Sequence, residues 1–272
     1  MIEIANSYKS FFKKNGFKSV DDFLSYTEGE IVSKPGKRVV RKMTLGDQKF
    51  FIKQEYFEGF KVLFKRLRKT GSLHSSLFKE SKIIDLCKNA EIPVMGKAVF
   101  AEKFKFGIPV GGVLVVNEVK GVEFYKTFNN FSISRKRILA KAFGYLIGSI
   151  HRAGIDTIVR THDLLIEDIN LKNYRECLVL IDREHGEINK RQMPDKDCAL
   201  QIAKILIKSS GYLNHVPKSC LMSFINGYQI ARSFDKLRIH KFSKLINEFI
   251  LKELNKEKYL KNKNTIESLI EP

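Results

Sequence analysis

The chain has no long apolar run. Nothing in its 272 residues approaches the ~18 consecutive apolar positions of a membrane-spanning helix. Glu3 stands near the N-terminus, with no basic stretch ahead of an apolar one, so no secretory leader is expected and a cytoplasmic location is. Cysteine is scarce. Cys87, Cys177, Cys198 and Cys220 lie far apart, each in an apolar segment. They form no CxxC or Cys/His metal spacing, which argues against a zinc module or a disulfide framework and for reduced core thiols. No internal repeat is present. Acid is also in short supply. Thirty Asp+Glu against 49 Lys+Arg leaves a net charge of +19. That balance favours anionic partners: nucleic acid, an anionic membrane surface or a phosphorylated substrate. No RNP-like pattern, zinc-finger spacing or clear helix-turn-helix accompanies the charge, so a nucleic-acid partner is not expected.

What is present centres on Arg160–Leu171, an Asp163-x₄-Asp168 spacing followed by the apolar run Cys177–Ile181 and Asp182. The run reads as a short buried strand ending on a carboxylate. Three acids on two neighbouring pieces of backbone suit phosphoryl transfer from ATP. One accepts the proton of the attacking hydroxyl, and the others hold Mg²⁺ through hard oxygen ligands. On these residues alone, a polar loop before a core strand would read the same.

Residues 37–54 read as a β-hairpin turning at Gly46-Asp47, with Phe50-Phe51-Ile52 leading to Lys53. A lysine ending such a strand can hold phosphate oxygens as a point charge. The preceding turn, Lys34-Pro35-Gly36-Lys37-Arg38, has one glycine and no GxGxxG pattern. Any cover it gives to phosphates comes from Lys37 and Arg38. Phe60, Leu63, Phe64 and Leu67 follow one helical face, with Lys61, Lys65, Arg68 and Lys69 around the rest. Such a helix either packs with its basic face in water or lies on an anionic membrane. A second amphipathic helix spans 78–90 and carries Glu80. Strands are expected around 97–103 and 112–119, the second ending near Glu118. Helices follow at 134–154, 196–209, 217–232 and 236–255, and then a charged, frayed tail.

Taken in order, these motifs resemble the protein-kinase-like fold and, within it, the lipopolysaccharide core kinases of the Kdo/WaaP type, over about residues 30–210. Phe-Phe-Ile-Lys53 resembles the strand lysine, Glu80 its helix partner, and His151-Arg152-Ala153-Gly154 the motif closing the helix before the catalytic loop. Thr161-His162-Asp163 stands in the place of His-Arg-Asp. Asp168 stands in the place of the usual Asn, and Asp182 in the place of the DFG aspartate. Asp195-Lys196-Asp197 resembles the family's following helix start, with Asp197 supporting the loop.

The resemblance implies an α+β, two-lobed fold: a helical cap over 1–30, a small β-rich N-lobe over 31–119, a mainly helical C-lobe over 120–255 and a tail over 256–272. It implies ATP and Mg²⁺ as cofactors, Asp163 as the catalytic aspartate that takes the hydroxyl proton, and Asp168 and Asp182 as metal ligands. Lys53, Glu80, Lys37, Arg38 and Glu118 form the nucleotide-binding set. As substrate the resemblance implies a heptose or Kdo sugar of the lipopolysaccharide core, or another lipid-linked saccharide at an anionic inner-membrane surface. Glu80 lies 27 positions after Lys53, more than the ordinary kinase spacing, and the stretch between them contains the basic helix. A protein kinase, another small-molecule kinase and a non-catalytic binding module remain as alternatives.

Overall fold

The computed structural model describes residues 1–57, 59–70, 73–182, 186–189, 191–210, 213 and 216–256. All but the first residue of the expected tail thus lies outside the described residues. The chain divides into two compact units, Met1–Asp85 with Met95–Glu118, and Leu86–Val94 with the chain from Val119 onward.

The first unit is built on six antiparallel strands: β1 (Ile2–Ile4), β2 (Ile31–Ser33), β3 (Arg38–Leu45), β4 (Gln48–Tyr56), β5 (Lys97–Lys105) and β6 (Ile108–Asn117). Their order is β1-β5-β6-β4-β3-β2. The β3–β4 hairpin turns at Gly46, whose φ of 55° is the left-handed conformation that the turn needs. Side chains alternate across a strand, so β4 serves two faces. Phe50 and Ile52 join Phe12, Phe17, Phe23 and Met43 in an aromatic core. Gln54 donates from its amide to the carbonyls of Phe23, Leu24 and Tyr26. Lys53 and Glu55 take the opposite face.

Residues 1–30 are more than a helical cap. They supply the edge strand β1 as well as the short helices α1 (Lys9–Lys14) and α2 (Val20–Leu24). Two further helices follow, α3 (Phe60–Thr70) and α4 (Ser76–Asn89). The start of α4 is held by carboxylates from the sheet. Glu55 accepts from the Ser76 N–H and hydroxyl, and Glu102 from the Ser75 N–H at 2.6 Å. Both satisfy donors that a helix start leaves open. On α3 the expected packed face is only partly packed. Leu63 is buried, whereas Phe60 is 58 % and Phe64 61 % exposed.

The second unit contains β7 (Val122–Glu123), α5 (Phe124–Thr127), α6 (Ile133–Arg152), β8 (Ile155–Asp156), β9 (Leu164–Ile166), β10 (Leu178–Leu180), β11 (Glu187–Ile188), α7 (Asp195–Ser210), α8 (Lys218–Arg232) and α9 (Lys236–Leu254). Ser132 caps α6, its hydroxyl accepting from the Arg135 N–H. Helices α6 and α8 approach closely where Gly144 and Gly148 of α6 meet Phe224, Tyr228 and Ala231, and Gly227 of α8 meets Lys141 and Tyr145. A Cβ on Gly144 would run into the Phe224 carbonyl, and one on Gly227 into the Lys141 carbonyl. Strands β10, β9 and β7 form a small antiparallel sheet, and β11 pairs with β8.

Candidate active site

In the first unit the strand lysine meets the helix glutamate. Lys53 Nζ lies 2.5 Å from Glu80 Oε1, and Arg38 Nη2 donates to Glu80 Oε2 at 3.1 Å. The ladder explains the convergence. Val40 faces Lys53 and Arg38 faces Glu55 across β3 and β4, which puts both cations on the sheet face that α4 covers. Glu80 has no exposed surface, so its charge depends on those two partners. The second cation on Glu80 was not foreseen from sequence, because Arg38 lies 42 positions away. Lys37 is exposed in the turn before β3. Glu118 is separate from this cluster and pairs with Lys42 at 2.6 Å.

In the second unit a 3₁₀ turn, Thr161–Asp163, runs straight into β9. The pairings Leu164↔Leu180 and Ile166↔Leu178 fix the β9–β10 register. The Ile181 N–H donates to the Asp163 carbonyl at 2.9 Å, so Asp163 and Asp182 stand at the same end of the hairpin. Asp168 stands at the other end. There it caps its own turn, its carboxylate accepting from the Asn170 and Lys172 N–H groups, both at 2.9 Å. At about 3.3 Å per strand residue, the two ends lie roughly 13–16 Å apart, whereas Mg²⁺ ligands sit about 2.1 Å from the ion. The expectation that Asp168 and Asp182 share one ion is therefore corrected by the hairpin. The acid at the same end of the hairpin as Asp182 is Asp163.

The Asp163 carboxylate is engaged with Arg160. Oδ2 accepts from the Arg160 backbone N–H at 2.9 Å and from Nε at 3.1 Å, while Oδ1 accepts from Nη2 at 2.9 Å. Sequence reading passed over Arg160. Its only signal was a position three residues before the aspartate. His162 packs edge-on to the Tyr125 ring at 6.1 Å.

Behind this loop lies a buried polar chain. The His151 ring nitrogens contact the Tyr228 hydroxyl at 3.0 Å and Gln201 Oε1 at 2.9 Å, and the Gln201 amide also donates to Asp156. Burial holds His151 near a pKa of about 3 and raises Tyr228 above its usual value. Asp156 is raised by burial and by the nearby charges of Glu187 and Asp197. Gln201 thus carries the side-chain hydrogen bond from α7 to this loop. At the start of the same helix Asp195 pairs with Arg232 and Arg238. The four cysteines are buried and unpaired to one another. Burial pushes Cys177 up to about 12 and Cys198 to about 11, as for inert thiols.

Asp182 supplies one carboxylate of the one or two that Mg²⁺ takes from a protein when phosphates and water complete its shell, whereas the Asp163 carboxylate is held by Arg160. No group of three or more His, Cys, Asp or Glu side chains able to hold a metal occurs among the described residues.

No family model matches the chain, and no curated protein matches it in sequence. Among solved structures it is similar to one described as WaaP in complex with acyl carrier protein. The TM-score is 0.65 at 14 % identity, over 92 % of this chain and 99 % of that one. The likeness is one of fold. The chain has the α+β, kinase-like architecture of WaaP, with an antiparallel sheet in its first unit and helices dominating its second.

Proposed function

We propose that this protein is an ATP-dependent kinase that phosphorylates a heptose or Kdo hydroxyl of the lipopolysaccharide inner core. The observation behind the reading is the buried Lys53–Glu80 pair, joined by Arg38, on a WaaP-like fold. Lys53 and Arg38, oriented by Glu80, bind phosphate oxygens. Asp182 would hold Mg²⁺, which neutralises charge on the phosphates when bound. Lys37 lies close enough in sequence to Arg38 to add a further cation at the turn. The acceptor hydroxyl is deprotonated as transfer proceeds, without a phospho-enzyme. A base role for Asp163 would require Arg160 to release the carboxylate, both of whose oxygens it holds. Mass spectrometry of core oligosaccharide from a strain lacking the protein tests the substrate. Loss of one phosphate from a core sugar is expected, and an unchanged core sinks the reading.

One observation favours a second reading, nucleotide binding without transfer: both Asp163 oxygens are taken up by Arg160. Mg-ATP binding in a protein that transfers no phosphate to any core acceptor would establish it.

We assign α3 to an anionic lipid surface at the inner face of the inner membrane. Its exposed Phe60 and Phe64 can enter the interface while its basic residues meet anionic headgroups. Acyl carrier protein, present in the WaaP structure, is a candidate partner, to be tested by co-expression and gel filtration.

A further inference from the structure

The Arg160–Asp163 pair has an asymmetry that runs against a direct role for the aspartate. The Asp163 side chain is 2 % exposed, whereas that of Arg160 is 47 % exposed. The aspartate is fixed twice. Its main chain closes the 3₁₀ turn by donating to the Arg160 carbonyl at 3.0 Å, and its own carbonyl accepts from Ile181. Its carboxylate then takes three hydrogen bonds from Arg160, two of them from one edge of the guanidinium. A planar guanidinium gripped along one edge has a defined direction.

We propose that Arg160 is a phosphate-binding residue and that Asp163 is the positioning residue that aims it. The guanidinium fork matches a phosphate group bidentately, and an immobile carboxylate behind it limits the rotamer freedom lost on binding. The phosphate can belong to the nucleotide or to an already phosphorylated saccharide acceptor. The first source rests on the kinase reading above, and the second does not.

The test measures dissociation constants for Mg-ATP and for purified phosphorylated lipopolysaccharide in the full-length protein and its variants. Arg160→Gln is expected to weaken the ligand that Arg160 holds by about tenfold, as for loss of a charge-assisted hydrogen bond. Arg160→Lys, which keeps charge but not the fork, falls in between. Asp163→Asn weakens the same ligand, and the double variant binds no more weakly than Arg160→Gln alone. The ligand that responds names the source. Arg160→Gln takes the guanidinium partner from a buried carboxylate, so thermal melting checks the fold of every variant, and Arg160→Lys keeps a counter-charge for Asp163.

Unchanged affinity for both ligands in Arg160→Gln overturns the proposal. So do additive losses in the double variant. A fall in kcat of ~10²-fold in Asp163→Asn with both affinities intact returns Asp163 to the role of base. Lys53→Met in the same assay probes the kinase reading separately. If the wild-type protein and this variant both fail to bind Mg-ATP, that reading falls while the lipopolysaccharide arm still decides Arg160.

Discussion

Glu80 is a carboxylate with no exposed surface and two cationic partners, Lys53 and Arg38. Glu80→Gln leaves both cations buried without their counter-charge, a loss on the order of 3–5 kcal/mol. A urea-unfolding midpoint close to wild type would show that the cluster relaxes into water. Lys53→Met spares Glu80 its Arg38 partner, so the protein is expected to fold but to lose Mg-ATP affinity, read by calorimetry. His151 makes a pH prediction. Its unfolded pKa is near 6.5 and burial holds it at about 3 in the fold. Between those values the unfolded chain takes up a proton that the folded chain does not. Its contribution to stability is therefore complete above about pH 6.5 and is lost as pH falls towards 3. From pH 7 to pH 5 the loss from this one group is about 2 kcal/mol. His151→Gln should remove that difference from the pH dependence of unfolding. An identical dependence in the variant would deny His151 the role.

At the scale of elements, the β9–β10 hairpin separates two aspartates that one motif had joined. Asp182→Ala is expected to abolish the Mg²⁺ dependence of ATP binding. Asp168→Asn is expected to leave it unchanged and to cost only part of a turn cap, about 0.5–1 kcal/mol of stability. Equal effects of the two on Mg²⁺ dependence would contradict the hairpin geometry. The α6–α8 contact depends on missing side chains. Gly144→Ala drives a methyl into the Phe224 carbonyl, which only a shift of one helix relieves. A loss of about 2 kcal/mol or more in thermal or urea unfolding is expected. Helix α3 is the reverse case, with apolar side chains present and uncovered. Phe60→Ser with Phe64→Ser should reduce co-sedimentation with anionic vesicles and leave thermal stability near wild type, because neither ring is buried. A stability loss like that of a core substitution would return those rings to the interior.

For the whole molecule, a charge of +19 makes association with anionic surfaces long-ranged and salt-sensitive. Replacing Lys61, Lys65, Arg68 and Lys69 together by Gln should weaken vesicle or lipopolysaccharide binding severalfold at low salt, at up to ~1 kcal/mol per cation near the surface. The difference should shrink as salt rises. Basal ATP hydrolysis should stay near wild type. Binding that is equal at every salt concentration would leave the helix a solvated basic face.

The longer elements were legible in the sequence by itself, whereas β1 and the short strands β2, β7, β8, β9 and β11 were not. The β3–β4 hairpin, α4, the β5–β6 pair and the helices from α6 to α9 were legible because period-2 and period-3.6 apolar patterns, with Gly46 and the residues around the helix ends, act over a few residues. The Lys53–Glu80 pair was legible only through resemblance, since 27 positions separate its members. The tertiary structure decided what depends on register and approach. The antiparallel pairing of β9 with β10 puts Asp163 at the same end as Asp182 and Asp168 at the other. Arg38 joins Glu80 because β3 lies next to β4, and α3 leaves Phe60 and Phe64 in water although its pattern matches that of a packed helix. Periodicity states which side chains share a face, but only the packed chain settles whether anything covers that face.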